Sequence, residues 1–72
     1  MDFTLENFGE FIKAERLKRG LAVIDVAEGV GYSIQHIYNI ESGRRIASLE
    51  TILNLLNYFG FDLVFHAEEM KR

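Results

Sequence analysis

The chain has 72 residues, with no cysteine and no proline. This length allows one small domain, and the absence of cysteine excludes disulfides and thiolate-based zinc sites, so we expect no metal and no cofactor. No apolar run approaches the roughly 18 residues of a membrane span and no signal-peptide pattern is present, so we expect a cytoplasmic protein with no membrane contact. The net charge is −3, but residues 13–45 carry six cations against four anions, and the rest carries two against seven. We therefore expect the middle of the chain to face an anionic partner.

The first predicted helix begins between residues 4 and 7 and ends at Gly20. Asn7 and Glu10 have the spacing of a capping box, with Asn in place of the usual Ser or Thr. Gly20 follows two cations, which a helix C-terminus favours. The apolar stripe of this helix is predicted to contain Phe8 and Ile12, with Leu17 as a further candidate.

Two short helices are predicted next. The first covers residues 23–30 and is broken by Gly31, which tolerates a positive φ angle. Ser33 is a favourable N-cap for the second, which runs to residue 41 or 42 and is stopped by Gly43. The core residues that we predict from their helical spacing are Val26, Ala27, Val30, Ile37 and Ile40.

Ser48 is predicted to cap a fourth helix over residues 49–59, which Gly60 ends. The acidic Glu50 lies in the first turn, where the helix dipole favours it. The residues predicted to face inward are Leu49, Ile52, Leu53, Leu56 and Phe59.

The segment after Gly60 changes its period from helical to alternating. Phe61, Leu63 and Phe65 alternate with other residues, as in a strand. One strand cannot satisfy its own backbone groups, so pairing with the same strand of a second subunit is predicted, with these three residues at the dimer contact. The predicted organisation is one domain over residues 1–66, with the strand at 61–65 and a short tail at 67–72.

Two short helices joined by a glycine turn are typical of a helix-turn-helix, whose second helix fits the DNA major groove. The residues that carry this motif are Arg16, Gly20, Leu21, Val26, Ala27, Val30, Gly31, Ser33, Ile37, Ile40, Glu41, Gly43 and Ser48 to Thr51. On these residues the sequence resembles the Xre/Cro family of phage repressors and bacterial regulators, over roughly residues 8–60. The strand at 61–65 is similar to that of the HipB-type antitoxin branch. The resemblance implies an all-α, four-helix, lambda-repressor-like domain with one C-terminal strand paired across a homodimer.

The resemblance also implies which residues meet double-stranded DNA, here a palindromic operator. Base-reading positions fall on Ile34, Gln35, His36 and Asn39. The amides of Gln35 and Asn39 suit bidentate pairing with adenine, and Ile34 suits a thymine methyl. Phosphate contacts are expected from the Ser33 backbone, Tyr38, Ser42, Arg44 and Arg45. Arg16 and Glu41 match a family pair that forms a buried ion pair between the first and third helices.

The sequence departs from the family pattern where the second helix opens. Ala22 and Val23 stand where a hydroxyl cap and a DNA-contacting Gln are usual. Val23, Ile24, Tyr32 and Ile34 would then form an apolar patch on the DNA face, which favours an alternative function as a protein-binding module. An antitoxin that binds both DNA and a toxin would combine the two functions. No motif supports catalysis, so we expect a transcriptional repressor and not an enzyme.

Overall fold

The computed structural model describes residues 3–62, and within them the chain forms four helices joined by short loops. The helices are α1 (Phe8–Lys18), α2 (Val23–Val30), α3 (Ile34–Glu41) and α4 (Leu49–Tyr58). This confirms the prediction of a four-helix, all-helical domain, and no strand occurs in the described range. Most of the predicted strand and the tail, residues 63–72, lie outside that range. None of these helices is long and apolar enough to cross a bilayer.

Hydroxyl side chains cap α3 and α4, as predicted. The Ser33 hydroxyl accepts a hydrogen bond from the His36 amide at 3.1 Å, and the Ser48 hydroxyl accepts one from the Thr51 amide at 3.2 Å. Each bond satisfies an amide that has no carbonyl partner within its own helix. The start of the third helix is thereby fixed by the residue next to the turn.

The first two helices begin differently. The predicted Asn7–Glu10 capping box is wrong, because no side chain caps α1. Asn7 instead accepts a hydrogen bond from the Thr4 amide at 2.6 Å, in a turn that precedes the helix. Ala22 has no side-chain acceptor, but its own amide donates to the carboxylate of Asp25 at 2.8 Å. α2 therefore keeps half of a capping box although the usual hydroxyl is missing.

The core lies where the four helices meet. α3 packs against both α1 and α2, and α2 packs against α4. All four helices contribute fully enclosed side chains, so the short α3 is held from two sides. The buried apolar residues are Phe8, Ile12, Val23, Val26, Ala27, Ile37, Ile40, Ile52, Leu55, Leu56 and Phe59.

The prediction of which side of α4 faces the core is wrong, because the observed buried side is rotated by part of a helical turn. Leu49 is 67% exposed, Leu53 is only partly buried, and Leu55, absent from the prediction, is fully buried. Leu17, the further candidate in α1, is also exposed. Five of the ten residues in α4 are Leu or Ile, so the apolar arc is too wide for the sequence pattern to fix its orientation.

Gly9 permits the close crossing of α1 and α3. It is buried, and a Cβ built at this position would overlap the carbonyl oxygen of Ile40. Because that obstacle is backbone, it cannot turn aside as a side chain would. Gly9 therefore sets how closely the end of α3 approaches α1.

Candidate nucleic-acid interface

A tight turn sets the angle between α2 and α3. Gly31 adopts a φ of 78°, in the left-handed region that favours glycine. The amides of Gly31 and Tyr32 both donate to the Ala27 carbonyl at 2.9 Å, which satisfies the end of α2. The chain then changes direction over residues 31–33 and begins α3 at Ile34.

The outer face of α3 carries the two amide side chains expected to read bases. Successive helix residues are about 100° apart, so Gln35 and Asn39 point away from the buried Ile37 and Ile40. Gln35 Nε2 donates to Asn39 Oδ1 at 3.1 Å. This bond leaves one Nε2 hydrogen and the Oε1 oxygen of Gln35 free, the donor and acceptor that bidentate pairing with adenine requires.

Other predicted contact residues lie at the edges of this face. Ile34 is 42% exposed and Tyr38 is 52% exposed, and both lie on one side of the two amides. His36 lies on the opposite side and is partly buried. The exposed face of α3 is therefore polar in its centre, apolar or aromatic on one edge, and bounded by an imidazole on the other.

The loop after α3 folds back against the end of the helix. The Asn39 carbonyl accepts hydrogen bonds from the Ser42 hydroxyl at 3.3 Å and from the Arg45 amide at 3.1 Å. Arg44 and Arg45 are exposed. The backbone of the loop is thus fixed to the helix, while two cationic side chains extend into solvent beside it.

The beginning of α3 offers a backbone site for an anion. The Ser33 hydroxyl takes the His36 amide, whereas the amides of Ile34 and Gln35 have no acceptor within the helix. Partial positive charge gathers at such a terminus. This is the backbone group that the family resemblance assigns to phosphate.

Arg16 and Glu41 join α1 to α3 inside the protein. Arg16 Nε donates to Glu41 Oε2 at 2.8 Å, and Nη2 donates to Oε1 at 3.0 Å. Nη1 donates to the Leu21 carbonyl at 2.8 Å, and both side chains are less than one-tenth exposed. The bonds to Glu41 raise the pKa of Arg16 above its ordinary value. The pair is directed inward and serves the scaffold of the site.

Several cationic side chains of residues 13–45 are paired with other groups of the protein. Arg16 is engaged inside, and Arg19 donates to the Glu15 carboxylate at 2.6 Å and to the Phe59 carbonyl at 3.0 Å. Lys18 lies 3.2 Å from the same carboxylate. The charge asymmetry seen in the sequence therefore overstates the basic surface, which near α3 rests on Arg44 and Arg45.

The predicted apolar patch is smaller than the sequence indicated. Val23 is buried in the core and does not belong to it. Ile24 is 47% exposed, Ile34 is 42% exposed, and Tyr32 is partly buried. Two isoleucines therefore remain as the exposed apolar residues at the openings of α2 and α3.

Sequence reasoning missed a polar connection from α4 to the start of α3. Asn54 Nδ2 donates to the Tyr32 hydroxyl at 2.8 Å. The Tyr32 ring stacks on the His36 ring, with centroids 5.0 Å apart and an interplanar angle of 22°. No sequence pattern pointed to this connection, because Tyr32 lies before α3 and Asn54 belongs to a different helix.

The expected dimer residues are only partly described. Phe61 is half-buried against Phe11, with ring centroids 5.7 Å apart, and its amide donates to the Leu56 carbonyl at 2.9 Å. Leu63 and Phe65 lie outside the described residues. Within residues 3–62, Phe61 belongs to an aromatic cluster of the same chain.

Among residues 3–62, no group of three or more His, Asp or Glu side chains is arranged to hold a metal ion.

The family model described as Helix-turn-helix matches residues 12–65, three-quarters of the chain and the whole of α2, α3 and α4. No curated protein and no solved structure matches the chain.

Proposed function

Because the chain belongs to the helix-turn-helix family of Cro/C1 type, whose model covers residues 12–65, we propose that it is a repressor that binds a palindromic operator in a sequence-specific way. One observation carries the proposal. The Gln35 and Asn39 amides are coupled on the outer face of α3, and the exposed Arg44 and Arg45 lie beside them. The amides would read base edges and the arginines would contact phosphate, without any catalysis.

Sequence readout is tested on duplexes selected from a random pool by the wild-type protein. Gln35→Ala should cost about 1–3 kcal/mol on the selected site and relax the preference at one base pair. Asn57→Ala is the matched control, since Asn57 is an exposed amide on α4. If Gln35→Ala and the control bound the selected site equally well, the proposal that Gln35 on α3 reads a base would be wrong.

Phosphate contact is tested by the salt dependence of the same binding. Arg45→Ala should weaken binding to all sequences and reduce the log–log salt slope by about one. Arg45→Lys keeps the charge and should keep the slope. An unchanged slope in Arg45→Ala would exclude this arginine from the interface.

A homodimer is part of the proposal, since two copies of α3 would match the two halves of a palindrome. The alternating residues 61–65 support it, and within the described range Phe61 is only half-buried. Truncation after Asp62 keeps the Phe61–Phe11 contact and should give a monomer with weak DNA binding. The control ends at residue 66 and should remain a dimer. If sedimentation showed the full-length protein to be a monomer at tens of micromolar, the proposal that two subunits pair through this strand would be refuted.

A second candidate function is a protein-binding module, in which the domain serves as a scaffold. Ile24 and Ile34, both more than two-fifths exposed, favour it. A toxin is one class of partner, and an antitoxin would combine both functions. The salt series separates the candidates, since a purely protein-binding module would show no phosphate-linked slope on duplex DNA.

A further inference from the structure

The start of α3 carries a group of polar side chains beside the reading face, which is formed by Gln35 and Asn39. Of this group, only His36 was assigned to DNA by the family resemblance, as a base-reading position. Asn54 on α4 donates to the Tyr32 hydroxyl, and the Tyr32 ring stacks on His36. Asn54 and Tyr32 are 22 residues apart in sequence, so the bond depends on the folded arrangement. The three side chains connect α4, the turn and the first turn of α3.

The hydrogen bonds within this group show which polar atom is left to contact a partner. In the Asn54–Tyr32 bond the tyrosine oxygen is the acceptor, so the hydroxyl hydrogen is not consumed. Among residues 3–62 the Tyr32 hydroxyl donates to no acceptor. A hydroxyl that accepts a bond from an amide is polarised and becomes a stronger donor. Tyr32 therefore presents a strengthened donor, held in place by Asn54.

The position of His36 shows where this donor lies relative to the reading face. His36 is one helix residue after Gln35 and so lies about 100° around α3, on the edge away from Tyr38. Its ring is held by the Tyr32 ring, with centroids 5.0 Å apart. The imidazole and the hydroxyl thus lie together beside the reading face, where a helix in the major groove has a phosphate backbone as its neighbour.

We propose that the Tyr32 hydroxyl and the His36 imidazole form a contact site for a DNA phosphodiester, and that Asn54 is the positioning residue of this site. The inference rests on the proposed function, since it adds a backbone contact to the same interface. A phosphate contact carries no sequence information, so its loss weakens binding equally to all duplexes.

The test measures the affinity of the full-length protein for the duplex selected by the wild type and for an unrelated duplex. Tyr32→Phe keeps the ring and its stack and removes only the hydroxyl. It should weaken binding roughly ten-fold on both duplexes, the usual effect of losing a hydrogen bond to a charged group. Tyr58→Phe removes a hydroxyl on α4, 3.5 Å from the Asp25 carbonyl, and should leave affinity unchanged.

Asn54 is tested by a double-mutant cycle. Asn54→Ala should weaken binding several-fold, and the double variant with Tyr32→Phe should bind no more weakly than Tyr32→Phe alone, because Asn54 acts through the hydroxyl. Asn57→Ala, a similar change on the same helix, should have no effect. A merely structural role for Asn54 would give additive losses.

The outcomes separate this inference from the proposed function. If the wild type bound no duplex with a phosphate-linked salt slope, the proposed function itself would fail. If the wild type bound as expected but Tyr32→Phe bound equally well, or lost affinity on the selected duplex alone, the phosphate site would be overturned. Melting curves of each variant identify any loss that reflects unfolding.

Discussion

Replacing Glu41 by Ala should destabilise the protein far more than a typical surface change. Glu41 accepts two hydrogen bonds from Arg16, at 2.8 and 3.0 Å, and its side chain is 5% exposed. The Arg16 side chain is 9% exposed, so removal of the carboxylate leaves a guanidinium charge enclosed without its counterion. Breaking a buried pair in this way costs about 3–5 kcal/mol.

That cost is large for a domain of this size. Small domains have total stabilities of roughly 5–15 kcal/mol, so Glu41→Ala would remove a large fraction. One kcal/mol shifts the melting temperature of a 60–100-residue domain by roughly 4–8 °C, so the expected fall is about 12–40 °C. Circular dichroism at 222 nm follows the transition. Glu28→Ala, an exposed glutamate on α2, is the control and should change the melting temperature little.

A second variant distinguishes the lost charge pair from lost packing. Arg16→Met combined with Glu41→Leu replaces both charges by apolar side chains of similar size, and such exchanges are often neutral or stabilising. The double variant should therefore melt well above Glu41→Ala. If Glu41→Ala melted like the control, or if the double variant were as unstable as the single one, the buried-pair reasoning would be refuted.

Three further predictions concern the scaffold. Gly9→Ala should destabilise by about 1–3 kcal/mol because its Cβ would meet the backbone at Ile40. Gly29→Ala should cost less, because its Cβ would meet the Tyr58 side chain, which can rotate aside, and not backbone; thermal melts compare the two. Glu15 has its pKa lowered, chiefly by the hydrogen bond from Arg19, so its stabilising contribution is complete above the ordinary value of 4.5 and is lost as pH falls through the lower folded value. Acid titrations should show Glu15→Gln less stable than the wild type at pH 7, with the difference shrinking below pH 4.5; a constant difference would contradict this. Arg19→Met should lower the melting temperature by releasing the Phe59 carbonyl, and Lys18→Met, an exposed neighbour, should not.

The sequence predicted the helices well where local chemistry marks them. Ser33 and Ser48 cap α3 and α4 as expected, and Gly31 makes the turn with a positive φ. These features depend on a few neighbouring residues, so they can be read without knowledge of the fold. The bounds of α2 agree at both ends for the same reason.

The errors arise where the result depends on residues distant in sequence. Val23 was placed on the surface because it replaces a polar family residue, yet it packs into the core. The orientation of α4 was misjudged because Leu49 and Leu55 are equally apolar, and only the packed partners decide between them. No local sequence pattern marked Gly9, because the requirement for glycine there comes from the backbone of Ile40, 31 residues further along.

In the candidate site too, features within one helix were predicted, and a contact between distant residues was not. Gln35 and Asn39 were predicted from the family resemblance, and the structure puts them on a common face of α3, while their role in reading bases stays a prediction. The connection from Asn54 through Tyr32 to His36 could not be predicted, because it spans two helices and a turn. The candidate reading residues follow the helical period of α3, whereas Asn54, which bonds to Tyr32, comes from a different helix.

The orientation of α3 is determined by contacts along its whole length. An eight-residue helix is too short to be stable in isolation, so its surroundings must hold it. Its first turn is held by the Ser33 cap and the Tyr32 stack, its middle by Ile37 and Ile40 in the core, and its last turn by Glu41. A helix held at three levels cannot rotate about its axis without breaking one of them. The outer amides would therefore meet the proposed DNA partner at a fixed angle, and a change in any of the three supports should alter binding although none of them is proposed to read a base.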